Sequence, residues 1–147
     1  MNKKVILKSL LILFPILAVG LATTGDSVTV FDTVSGQTQY YSYFDILPVG
    51  NLQMVTPLAA LLCAFSGILA AIYMAGKKDS FLKASGYAAL ASAVLAAIPA
   101  ALREAVLVLP HVALPIFMLL QYVTAYFLAK AAPDKEETGS RKRLKKH

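Results

Sequence analysis

The chain has 147 residues, of which 58% are apolar, and a formal net charge of +6. That apolar share exceeds the roughly 45–50% usual in soluble domains, and the length fits one domain. The single cysteine, Cys63, excludes an internal disulfide and any redox chemistry that needs a pair of thiols.

Four apolar segments follow one another along the chain, over residues 5–22, 54–76, 81–102 and 106–129. Each has roughly the 17–25 apolar residues that a helix needs to cross about 30 Å of hydrocarbon. None repeats a polar face every 3.6 residues, as a helix of a soluble bundle does. We therefore predict an all-α membrane protein, with a four-helix transmembrane domain over residues 1–133 and a basic cytoplasmic tail over 134–147.

Thirteen of the fourteen Lys and Arg residues lie on one side of this alternation, and only Arg103 lies on the other. Because Lys and Arg are retained on the cytoplasmic side during insertion, both termini are predicted to be cytoplasmic. The basic tail, which contains RKRLKK at residues 141–146, is predicted to meet anionic lipid headgroups. We reject nucleic-acid binding as an interpretation of the basic tail, because these residues closely follow a predicted membrane helix.

The first segment has two interpretations. The small residues at 20–22 resemble a signal-peptide cleavage site, and an apolar run after MNKK is typical of a signal peptide. The run is longer than usual for such a peptide, and Lys8 can extend its amine toward the cytoplasm, so we favour an uncleaved transmembrane helix.

The outer loop, residues 25–52, contains no Lys or Arg. Residues 27–31 and 38–44 are rich in strand-forming side chains, and residues 34–37 supply a turn in which Gly36 can adopt a positive φ. The pattern predicts a short extracellular β-hairpin between the first and second helices. Such a hairpin is marginal alone and needs support from the helix ends or a partner.

An aromatic cluster, Tyr40, Tyr41, Tyr43 and Phe44, precedes Asp45 at the end of this hairpin. One interpretation is an interfacial belt, in which each tyrosine places its ring near lipid and its hydroxyl in water. The other is a recognition surface for an extracellular ligand or a membrane or extracellular protein, because exposed tyrosine is enriched at binding sites. Both interpretations stay open at this point.

Small residues recur every fourth position in the second and third segments, and two such rows run side by side in the third. The rows are Ala59, Cys63, Gly67, Ala71 and Ala75; Ala84, Ala88, Ser92, Ala96 and Ala100; and Ser85, Ala89, Ala93, Ala97 and Ala101. A four-residue step stays near one helix face, where small side chains permit close approach of two helices in lipid. We predict an intramolecular helix pair, and the width of the third segment's small face also suggests a homo-oligomer.

Gln121 and Thr124 are the predicted intramembrane polar residues of the fourth segment. Gln121 either hydrogen-bonds to another helix or belongs to a solute pathway. Arg103, Glu104 and His111 suggest a local ion pair with a hydrated histidine more than an acid/base pair, because no placed nucleophile accompanies them. The sequence therefore predicts no catalytic, cofactor-binding or metal residue, and no cofactor.

YYSYFDILPVGN at residues 40–51, together with the short lysine-bearing turn between the second and third segments, is similar to small uncharacterised four-helix membrane proteins of Gram-positive bacteria. The resemblance implies a bacterial cell membrane and no known activity. No Asp or Glu lies inside any of the four segments, which disfavours a proton-coupled transporter. We predict a non-enzymatic accessory or interaction protein; the alternative is a small transporter, channel or holin-like pore.

Overall fold

The computed structural model describes residues 3–24, 28–32, 35–45, 54–76, 78–101, 105–106 and 109–131. Within these ranges the chain forms four helices, α1 (Lys3–Ala22), α2 (Val55–Gly76), α3 (Asp79–Ala101) and α4 (Leu109–Ala131). Each is long and apolar enough to cross a membrane, which confirms the four predicted helices. The fourth apolar segment starts before its helix, because residues 105–106 pair as a strand and α4 begins at Leu109.

The helices form a ring in which each contacts its two neighbours. The α2–α3 and α3–α4 contacts are the most extensive, and α1 packs against α4 and α2. The Ser85 hydroxyl donates to the Ser66 carbonyl, and the Ser92 hydroxyl donates to the Ala59 carbonyl. Later residues of α3 therefore lie beside earlier residues of α2, so the two helices are antiparallel. The bundle therefore runs up, down, up and down.

This arrangement gives the bundle two chemically different ends. The basic end gathers Lys3, Lys4, Lys8, Lys78, Lys83 and Lys130. The opposite end, which we call the sheet end, carries the strands and has no Lys or Arg among the residues described. Arg103, Lys77 and the tail at 134–147 lie outside the described residues. The lysine alternation of the sequence thus corresponds to one end of the folded bundle among the described residues.

The sheet consists of an antiparallel hairpin extended by one very short strand. Strands β1 (Val28–Asp32) and β2 (Gln37–Tyr41) pair along their whole length, and β3 (Ala105–Val106) pairs with the other edge of β1. Gly36 lies in the connecting turn with φ of 67°, where an L side chain is strained. The predicted hairpin is therefore confirmed, and β3 is an addition that the sequence did not indicate.

The bundle interior is built mainly from small side chains, and many of the large apolar side chains point outward. Buried positions include Ala59, Cys63, Ala89 and Ala93. Only 22–39% of the most apolar stretch of each helix is buried. Exposed large side chains occur on every helix, among them Leu13, Ile16, Leu61, Phe65, Ile68, Val94, Ile116 and Val123. Water disfavours such a surface, whereas lipid hydrocarbon accommodates it.

Candidate functional site

The predicted aromatic cluster divides into one anchoring side chain and several outer ones. Tyr43 is fully buried, and its backbone N–H donates to the carbonyl of Ala22 at 3.1 Å. The Ser42 hydroxyl donates to the same carbonyl at 2.7 Å. Burial raises the pKa of the Tyr43 phenol above its ordinary value, so the ring stays neutral. Tyr43 therefore fastens the hairpin to α1, and it is not part of an exposed surface as the sequence suggested.

Asp45 closes a tight turn directly after the anchor. Its carboxylate accepts the Ser42 N–H at 2.6 Å, and its own N–H donates to the Ser42 carbonyl at 3.1 Å. The Phe44 N–H donates to the Ser42 hydroxyl at 3.2 Å. These bonds fix the backbone so that Tyr43 points inward while Phe44 stays exposed.

Three aromatic side chains remain exposed at the sheet end, and we call Phe31, Tyr40 and Phe44 the aromatic set. Tyr40 is 61% exposed, Phe31 49% and Phe44 39%. The register pairs Phe31 with Thr38 and Tyr40 with Thr29. Because side chains alternate along a strand, Phe31 and Tyr40 share one sheet face as diagonal neighbours.

The opposite face of the sheet covers the bundle. Val28 and its cross-strand partner Tyr41 pack with the core at the sheet end, and Tyr41 is half-buried with its hydroxyl donating to Gln39. Phe31 was not among the predicted site residues, although the alternation over residues 27–31 already placed it on one face with Thr29.

The bundle interior contains a network of hydrogen bonds centred on Gln121. The Gln121 amide donates to the Ser85 hydroxyl at 3.2 Å, and its oxygen lies 3.1 Å from the Ser66 hydroxyl. Ser85 in turn donates to the Ser66 carbonyl at 2.9 Å. All three side chains are fully buried, so the network joins α2, α3 and α4 in the interior of the bundle.

Thr124 and Ser92 are buried as well, but each hydroxyl is taken up by helix backbone. Thr124 donates to the Leu120 carbonyl of its own helix at 2.7 Å, and Ser92 donates to Ala59 at 2.8 Å. These two residues, together with Ser66 and Gln121, are four of the six buried polar side chains on the described helices; the others are Ser85, which belongs to the network, and Thr56, whose hydroxyl has no hydrogen-bond partner. Each of the four is committed to protein contacts.

The small-residue rows have a more specific geometry than the sequence predicted. Cys63 and Ala59 are buried in the row on α2, Gly67 is half-buried and Ala71 is exposed. A four-residue step advances about 40° beyond a full turn, so the row gradually rotates out of the interface. Ala71 therefore lies away from the contact for which it was predicted.

The half-buried Gly67 packs against α1. A Cβ at Gly67 would lie 3.2 Å from the Pro15 Cβ. Beside it, the Cys63 thiol lies 3.9 Å from the Pro15 carbonyl oxygen. Proline breaks the regular backbone bonding of α1, and α2 approaches closely at that point.

On α3 both rows contact α2, since Ser92 in one row and Ser85 in the other donate to α2 carbonyls. Ala89, Ser92 and Ala93 are buried and Ala88 is half-buried. A contact that the sequence did not indicate occurs at Gly86, where a Cβ would lie 3.2 Å from the Ala125 Cβ on α4. The small residues of α3 therefore cover a wide surface because α3 packs against both α2 and α4.

Arg103 and Glu104 lie outside the described residues, as does the side chain of His111, so their predicted ion pair is not observed. The described residues form a mostly helical bundle, with four helices long and apolar enough to span a membrane and a small antiparallel sheet at one end. No known protein family, curated protein or solved structure matches the chain.

Gln121→Leu is expected to lower the free energy of unfolding by about 1–2 kcal/mol. The change severs both interhelical bonds at constant size, and a hydrogen bond between membrane helices contributes about 0.6 kcal/mol on average and about 1.7 at most. Reversible unfolding in mixed detergent micelles measures the difference. Thr124→Val is the matched control, because Thr124 bonds only within α4. Equal losses for the two variants would show that the network does not tie the helices together.

Proposed function

We propose that the four helices span the cytoplasmic membrane of a bacterium. The exposed leucine, isoleucine, valine and phenylalanine side chains on the outside of the bundle support this placement, because a bilayer covers such a surface. The segregation of lysines to the basic end supports an orientation with that end, and both termini, in the cytoplasm. The bacterial location rests on the sequence resemblance of residues 40–51.

Within this frame we propose a non-enzymatic accessory role, in which the sheet end binds a membrane or extracellular protein. The observation that carries this proposal is that one aromatic residue at the sheet end is buried while others are exposed. Tyr43 holds the sheet on the bundle, while Phe31 and Tyr40 lie exposed on the sheet face opposite Val28, a face on which Thr29 is buried. Exposed aromatic side chains of this kind are typical of an interaction surface.

A transporter, channel or pore is the runner-up. It needs polar side chains with free hydrogen-bonding groups along a water-filled path. Ser66, Ser92, Gln121 and Thr124 are instead buried and hydrogen-bonded to one another or to helix backbone. This closed network supports a scaffold more than a conduit. Ion flux in liposomes that Gln121→Leu abolishes would reverse the preference.

The homo-oligomer predicted from α3 remains a proposal with a changed interface. Ala89 and Ala93 are buried inside one chain, so a second copy needs the outward residues Ala84, Ala91 and Val94. Disulfide formation between copies of Ala91→Cys, in a Cys63→Ala background, tests it. Recovery of monomer alone under oxidising conditions contradicts it.

A photo-crosslinking side chain placed at Tyr40 is expected to give a discrete protein adduct on irradiation of intact cells, because Tyr40 is the most exposed of the aromatic set. Phe31→Ser, which removes the diagonal aromatic neighbour, should reduce that adduct several-fold without changing the protein level. The same crosslinker at Phe65, an exposed residue on the side of α2, is the control for adducts formed by chance in the membrane. Absence of a Tyr40 adduct, or one unaffected by Phe31→Ser, refutes the interaction surface.

A further inference from the structure

A groove with a volume of about 390 Å³ lies between the N-terminal half of α3 and the C-terminal half of α4, at the basic end of the bundle. That volume falls within the roughly 300–1,000 Å³ of small-molecule sites. Its floor is apolar and lies where Gly86 meets α4, at the close contact with Ala125. The groove is therefore open on the side of the bundle that the proposed bilayer would cover.

The polar side chains of the groove are two lysines and three tyrosines, namely Lys83, Lys130, Tyr87, Tyr122 and Tyr126. No Asp or Glu is among its lining residues. The Lys130 amine lies 6.0 Å from the centre of the Tyr126 ring, a distance at which the cation is attracted to the ring face. The two lysines thus give the groove a charge of +2, and the acidic residue of α3, Asp79, lies one turn before Lys83 and outside the lining.

The lysines of the groove lie closer to the end of the bundle than its tyrosines. With a rise of about 1.5 Å per residue, Lys83 lies about 6 Å closer to the end of the bundle than Tyr87. Lys130 lies about 12 Å closer to that end than Tyr122 by the same measure. From the end inward the groove presents the lysines first and then the tyrosines, and its apolar floor at Gly86 and Ala125 lies at the same depth as the tyrosines. A phospholipid likewise presents its phosphate first, followed by its ester oxygens and hydrocarbon.

We propose that this groove binds one anionic phospholipid of the cytoplasmic leaflet. Lys83 and Lys130 bind its phosphate, the tyrosine hydroxyls bind the ester region, and an acyl chain lies against the floor at Gly86. The proposal rests on the membrane insertion proposed above. It differs from a general attraction of lipid to the basic tail, because it assigns the selectivity to two lysines within the bundle.

The test is a lipid titration of the purified full-length protein in detergent micelles, read by native mass spectrometry. Phosphatidylglycerol is the anionic probe and phosphatidylcholine the zwitterionic one. The test variant combines Lys83→Gln with Lys130→Gln. Lys3→Gln with Lys78→Gln removes the same charge from exposed lysines at the same end, and Lys145→Gln with Lys146→Gln removes it from the tail. Lysine to glutamine on an exposed surface leaves the fold intact, which thermal unfolding verifies for each protein.

The groove variant is expected to bind phosphatidylglycerol about 30-fold more weakly, because each lysine near anionic lipid contributes about a fivefold factor. Its phosphatidylcholine binding should not change, and both control pairs should lose less than about fivefold. An equal loss in either control pair overturns the proposal, since binding is then diffuse or located in the tail. Millimolar inorganic phosphate that displaces the lipid also overturns it, because the site then holds a phosphate alone. Failure of membrane insertion is detected separately, by thiol labelling in cells, so the two proposals fail distinguishably.

Discussion

Tyr43→Ala is expected to lower the free energy of unfolding by about 3–5 kcal/mol, the range found when a large buried aromatic side chain is truncated. Tyr43 is among the largest side chains that are fully buried, and it joins the sheet to the bundle core. Without the ring, the hairpin keeps the two bonds from Tyr43 N–H and the Ser42 hydroxyl to the Ala22 carbonyl and the packing of Val28 and Tyr41, and a two-stranded hairpin is marginal without support. The sheet end should therefore loosen before the helices do.

Two measurements check this expectation. Unfolding in mixed detergent micelles gives the free-energy difference, and limited proteolysis should cut residues 25–52 of the variant faster while helix content by circular dichroism is retained. Tyr40→Ala is the matched control, because the same residue type is 61% exposed there and its truncation should cost about 0.5 kcal/mol or less. If the two alanine variants are equally stable, Tyr43 does not anchor the sheet.

Gly67→Leu is expected to destabilise the protein by about 1–3 kcal/mol or more, the range for overpacking a tight interface. A Cβ at this position would lie 3.2 Å from the Pro15 Cβ and 3.6 Å from its Cγ, and both atoms belong to a rigid ring within α1. The longer leucine side chain must push α1 away from α2. The same separation should lengthen the contact between the Cys63 thiol and the Pro15 carbonyl.

Gly20→Leu provides the control for the change of glycine to leucine in a helix. Nothing lies within 4 Å of a Cβ built at Gly20, so that variant should be neutral or slightly more stable through its higher helix propensity. The free energies of unfolding of Gly67→Leu and Gly20→Leu, measured in the same micelles, test this difference. A stable Gly67→Leu protein with α1 and α2 still in contact, shown by a disulfide between introduced cysteines, would contradict the close packing.

The helices and the hairpin could be predicted because their signals are local. Length and hydropathy define a candidate span within its own residues, and positive φ at Gly36 follows from a turn between two runs of strand formers. The strand at Ala105–Val106 could not be predicted, because two residues carry no pattern and their partner is distant in sequence. Its presence shortens the fourth helix at its start.

The site residues were harder to assign because burial depends on tertiary contacts. Tyr40 and Tyr43 are the same residue type three positions apart, and only the turn closed by Asp45 decides which of them points inward. Ala71 continues a regular row, yet the row rotates out of the interface before reaching it. Gly86 has no small neighbour at four-residue spacing, so no pattern singles it out in the sequence.

Thiol labelling in intact bacterial cells tests the central claim most directly, that the bundle spans the membrane with its sheet end outside. Cys63 is the only cysteine, so Cys63→Ala gives a background for single cysteines at Tyr40 and Lys78, both exposed and at opposite ends of the bundle. A membrane-impermeant maleimide should label Tyr40→Cys in intact cells, and Lys78→Cys only after the membrane is permeabilised. Labelling of Lys78→Cys in intact cells, alone or equally with Tyr40→Cys, would contradict the proposed topology.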